Sequence, residues 1–82
     1  MENPDWSAEK TYFFLKQFDL SPREIDVALA LLSIKTDEAI GMKLNISKHT
    51  VHTHRKHIYE KTKTKDRSDL INFLCTNGLY KN

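Results

Sequence analysis

The run Ser21-Pro22-Arg23-Glu24 fixes where one helix must begin. Ser21 offers a side-chain oxygen to an otherwise unpaired backbone N–H. Pro22 occupies a helical position that needs no N–H, and Glu24 reaches back to complete a capping box. With that start set, Ile25, Ala28, Leu29 and Leu32 fall on the inward face of a helix that stops near Ser33. Weaker signals of the same kind recur. Thr36 or Asp37 opens a short helix to about Leu44, with Ile40 and Leu44 inward, and Asn45-Ile46 make a turn. Ser47 caps a longer helix over residues 47–62, with Val51, Ile58 and Thr62 inward. A polar link over residues 63–66 leads to a last helix over residues 67–77. Gly78 is placed to end that helix in a left-handed conformation, with Leu79 folding back on the preceding turn. Upstream, Asn3-Pro4 opens a helix to about Gln17, and Trp6, Phe13, Phe14 and Phe18 recur near helical spacing as core packing. No β-branched alternation appears, so the fold class is all-α.

Charge is divided unevenly along this series of helices. Residues 1–42 hold four basic and eight acidic residues. Residues 43–67 hold eight basic residues against Glu60 and Asp66, together with all four histidines. This block coincides with the helix over residues 47–62, as expected of a surface that meets phosphates. The longest apolar stretch, residues 27–32, is far shorter than the roughly 20 residues that span a bilayer. No signal-peptide pattern opens the chain, which makes the cytoplasm the expected compartment. Cys75 is the single cysteine, so no internal disulfide forms. His49 with His52, or His54 with His57, share a helical face, but neither pair has a carboxylate or thiolate to complete a metal site. His54 is expected at the core edge, structural and hydrogen-bonded. No nucleophile or acid–base constellation points to an enzyme.

On the helix over residues 47–62, His49, His52, Thr53, Lys56 and Glu60 point outward together. A helix 10–12 Å wide fits a major groove roughly 12 Å across, so these side chains are candidates to read base edges. Ser47, Lys48 and Thr50 surround its N-terminus, where free N–H groups favour a phosphate. Arg55, Lys61, Lys63 and Lys65 extend the expected phosphate contacts along the basic block. Gly41 costs about 1 kcal/mol against alanine inside a helix, which makes sense where a side chain would block close packing of crossing helices.

At the spacing of Leu20-Ser21-Pro22-Arg23-Glu24, Ile40-Gly41, Leu44-Asn45-Ile46-Ser47, Thr50-Val51, His54, Ile58, Lys61, Arg67 and Leu70, the chain resembles the LuxR-type (GerE-like) DNA-binding domain of bacterial transcription factors. The resemblance implies a compact four-helix helix-turn-helix domain over residues 20–82, here with an additional amphipathic helix or arm over residues 1–19. It implies base contacts from residues equivalent to His52, Thr53 and Lys56, and backbone contacts from those equivalent to Lys48, Thr50 and Lys61. It also implies a homodimer on DNA formed through the last helix, where Leu70, Ile71, Leu74 and Cys75 are the candidate interface. Three positions depart from the family pattern: Ile34 replaces a usual glycine, His52 a usual lysine, and Thr62-Lys63-Thr64 a usual Leu-Gly-Val.

The resulting expectation is a sequence-specific transcriptional regulator, cytoplasmic and nucleoid-associated, with double-stranded DNA as its partner. It carries no cofactor, metal, small-molecule ligand or membrane partner. The competing reading is a protein-interaction module that uses the same helices without DNA. The 82 residues leave no room for the receiver domain of many relatives, so the chain works alone or is a C-terminal piece.

Overall fold

In the computed structural model, residues 8–79 are described and form five helices: α1 (Ala8–Lys16), α2 (Pro22–Leu31), α3 (Asp37–Leu44), α4 (Lys48–Thr62) and α5 (Arg67–Thr76). Asn3, Pro4 and Trp6, which carry the expected start of the first helix, lie outside the described residues. There is no strand among the described residues, and the all-α expectation holds. No described helix is long and apolar enough to cross a membrane.

Helix α2 is the axis of the core. Six of its ten residues are buried, and α1, α3 and α4 all pack against it. The expected capping box forms in both directions: Glu24 N–H donates to Ser21 Oγ at 3.1 Å, and Ser21 N–H donates to Glu24 Oε1 at 2.9 Å. The core gathers Leu15 from α1, Ile25, Ala28 and Leu31 from α2, Ile40 from α3, Val51 and Ile58 from α4, and Leu70 and Leu74 from α5. The aromatic stripe divides. Phe14 and Phe18 stack edge-on against each other at 5.3 Å, and each lies 5.6 Å from Phe73 of α5. Phe13, expected in the core, is 60 % exposed. One residue along a helix is a turn of about 100°, so the contact that buries Phe14 carries Phe13 away.

The α3–α4 turn shows why Gly41 is glycine. A Cβ there would lie 2.6 Å from the Ile46 carbonyl oxygen, so the close neighbour is the turn's own backbone rather than a crossing helix. Thr36 caps α3, with Ala39 N–H donating to its Oγ1 at 3.1 Å. Asn45 ends the helix in the left-handed region at φ 60°, and Ile46 N–H donates back to the Gly41 carbonyl at 2.9 Å. Cations close several exposed carbonyls at helix ends: Arg67 Nε donates to Leu31 O at 2.6 Å, and Arg23 donates to Leu44 O at 2.7 Å. At the other end of α4, Lys63 takes φ 58° at the position where the family pattern has glycine. Thr62, smaller than the usual leucine, is buried and donates its hydroxyl to Ile58 O at 2.8 Å. Gly78 is left-handed at φ 74°, with Leu79 N–H donating to Leu74 O at 2.9 Å, as the sequence anticipates.

Candidate nucleic-acid interface

Helix α4 begins at a cap that leaves its positive end open. Thr50 N–H donates to Ser47 Oγ at 3.0 Å, and the two hydroxyls bond at 2.8 Å. No acidic residue stands in the first turn, so nothing there offsets the partial positive charge of the free N–H groups. Burial of Val51, Ile58 and Thr62 sets the rotation of the helix. His49, His52, Lys56 and Glu60 are then exposed on the opposite side, with Thr53 half-buried among them. The Thr53 hydroxyl donates to His49 O at 3.2 Å, which commits its proton to the helix backbone and leaves the oxygen able to accept.

The expected phosphate contacts separate into two groups. Lys48, Lys63 and Lys65 are exposed, as is Lys56, and among the described residues none of these four ammonium groups pairs with a carboxylate. Arg55 and Lys61 do have internal partners. Arg55 donates to Asp37 Oδ2 at 2.6 Å and joins α4 to α3. Burial would make that guanidinium easier to deprotonate, but the Asp37 carboxylate and Tyr59 more than reverse the effect. Lys61 donates to Glu24 Oε1 and to Asp19 O, both at 3.0 Å. His57 Nδ1 lies 3.2 Å from Glu24 Oε2, so one nearly buried carboxylate gathers three groups. Burial raises the pKa of Glu24, but the Ser21 N–H, the Lys61 ammonium and His57 outweigh it, and the group stays below the ordinary value of 4.5. A cleft of about 300 Å³ lined by His52, Arg55, Lys56, Tyr59, Lys65 and Asp66 places Lys65 beside the outward face of α4.

His54 is half-buried, as expected at the core edge, but its shielded Nδ1 has no hydrogen-bond partner among the described residues, contrary to expectation. The candidate interface on α5 also narrows. Leu70 and Leu74 are completely buried in this chain's own core, so they are not surface residues. Their spacing of four residues puts them on one stripe, and the sequence cannot say how much of that stripe the core takes. Ile71 and Cys75 are half-exposed on the flank away from Phe73. Sequence reasoning missed Asp37, Arg23 and the second role of Glu24. Each acts on a residue 18 to 37 positions away, and no local pattern reports such a contact. Among the described residues, no group of three or more His, Cys, Asp or Glu side chains could hold a metal ion.

Residues 19–74 match the family model described as bacterial regulatory proteins, luxR family. No curated protein and no solved structure matches the chain significantly.

Proposed function

This chain belongs to the luxR family of bacterial regulatory proteins, a family of DNA-binding transcription regulators, and we propose that it reads the major groove of double-stranded DNA with α4. The observation that supports this reading is the outward face of α4. It presents His49, His52, Thr53 and Lys56 between a helix N-terminus that has no acidic residue in its first turn and carries Lys48, and a flank carrying Lys65. In the proposed complex His52, Thr53, Lys56 and His49 meet base edges, and Lys48, Lys63 and Lys65 meet phosphates with the Ser47 and Thr50 hydroxyls. Arg55 and Lys61 act chiefly by holding α4 in place. Two copies meet through the Ile71–Cys75 flank of α5, and the regulator works in the cytoplasm at the nucleoid.

Titration of random-sequence duplex DNA at several salt concentrations tests the reading. With about four phosphates neutralised per copy, the logarithm of affinity falls against the logarithm of salt with a slope of roughly −5 to −8 for the dimer. Negligible binding at low salt, or a slope near zero, contradicts it and favours a protein-interaction module.

A further inference from the structure

His52 stands on the outward face of α4 with 59 % of its side chain open to solvent, yet one edge of its ring is fixed from below. Asp37 on α3 accepts a 2.6 Å hydrogen bond from Arg55 Nη2. The same Nη2 lies 3.0 Å from His52 Nδ1. A guanidinium has only donors and keeps its charge at any ordinary pH, so Nδ1 can take part in this contact only through its lone pair. The ring proton must then sit on Nε2, at the outer edge. Asp37 lies 3.9 Å from Nδ1, too far to accept a hydrogen bond from the opposite tautomer. A protonated ring would point an N–H at the N–H of Arg55.

We propose that Asp37 and Arg55 fix the tautomer of His52, with Nδ1 accepting and Nε2–H as its single outward donor, and that this donor sets specificity at one base position. The inference rests on the reading that α4 enters the major groove. There guanine shows the acceptors O6 and N7, thymine shows O4, and cytosine shows only its amine donor. A lone N–H donor therefore finds an acceptor on guanine, on thymine or, at N7, on adenine, and disfavours cytosine, whose amine would face another donor. Arg55 and Asp37 are positioning residues: they fix which nitrogen carries the proton and hold the ring plane, while His52 makes the contact. Lysine at the same position would present a mobile donor, whereas a locked imidazole points its donor in one direction. Phosphate attraction at this end of the helix falls to Lys48, and selectivity to His52 together with the other base-facing side chains.

Two measurements on the full chain test this. Nitrogen-15 spectra of the imidazoles at about pH 8, where a histidine of ordinary pKa is neutral, should show His52 protonated at Nε2 with a hydrogen-bonded Nδ1. In Arg55→Met the Nδ1 signal should move to the position of a free lone pair, and in Arg55→Lys, which retains a donor, it should stay near the wild-type position. An Nδ1–H tautomer in the wild type overturns the lock. The second measurement is selection of bound duplexes from a random pool. The wild type should disfavour cytosine at one position per half-site by roughly tenfold, and His52→Leu should erase that preference while the other positions stay selected. Binding that persists with every preference unchanged in His52→Leu overturns the specificity role alone. A wild type that binds no duplex overturns the groove reading itself, and the spectra still decide the lock.

Discussion

Lys56 and Lys61 lie on the same helix and would count equally in any tally of charge, yet their surroundings differ. Lys61 is tied to Glu24 and to the Asp19 carbonyl, and His57 beside it shares the same carboxylate. Lys56 and Lys48 stand exposed, and among the described residues neither has an acidic partner. The side of α4 that carries His57 and Lys61 docks the helix on α2, and the side that carries Lys48 and Lys56 is left for a ligand. A basic helix is therefore not a uniform binding surface, because an internal carboxylate can claim part of it.

The contrast is sharpest at Glu24. Glu24→Ala removes a cap and strands Lys61 and His57, and should cost about 2–3 kcal/mol of stability, measured by denaturant unfolding. A loss below about 0.5 kcal/mol, the level of an ordinary surface substitution, would show that the docking side is not anchored there. The same group gives a pH signature. Its pKa is lower in the folded chain than in the unfolded one, so its contribution is present above the unfolded value and lost as pH falls through the folded value. The wild type should therefore lose more stability than Glu24→Gln between about pH 5 and pH 3. Parallel curves would contradict the assignment.

Binding variants come next. Lys56→Ala should lose roughly 1–3 kcal/mol on the preferred site and much less on random DNA, and Lys48→Ala should weaken both about equally. Equal behaviour of the two variants would remove the division between base and phosphate contacts. Ile71→Glu should abolish cooperative binding to a two-half-site duplex, with helicity by circular dichroism unchanged. Retained cooperativity would move the interface off this flank of α5.

The smallest effect belongs to the C-terminal end of α4. Lys63 holds φ 58° without being glycine, a conformation that costs a residue with a Cβ about 1 kcal/mol. Lys63→Gly should recover about 0.5–1 kcal/mol in stability, read from the unfolding midpoint, while removing one phosphate contact. A destabilised variant would mean that the Lys63 side chain contributes more than its backbone strains.

What was legible in the sequence follows the range of the interactions. The caps at Ser21, Thr36 and Ser47 and the left-handed Gly78 involve residues within a few positions of one another, and the sequence located each. The inward faces of α2 and α4 follow from helical periodicity, as do Val51, Ile58 and Thr62 in the core. The ownership of charges was hidden, because the pairs Arg55–Asp37 and Lys61–Glu24 join separate helices. The division of α5 was hidden as well. Leu70 and Leu74 went to the core, and Phe73 went to an aromatic contact with α1, a choice that only the packing of five helices makes.

The comparison of the two sides comes down to the salt dependence of DNA binding in the Lys48→Ala, Lys56→Ala double variant beside that in Lys61→Ala, both measured under conditions where each is fully folded. The double variant should flatten the slope of log affinity against log salt by roughly 1 per copy, through the phosphate contact of Lys48, and Lys61→Ala should leave it where the wild type has it. An unchanged slope in the double variant, or a flattening confined to Lys61→Ala, would place the interface on the side of α4 assigned here to docking.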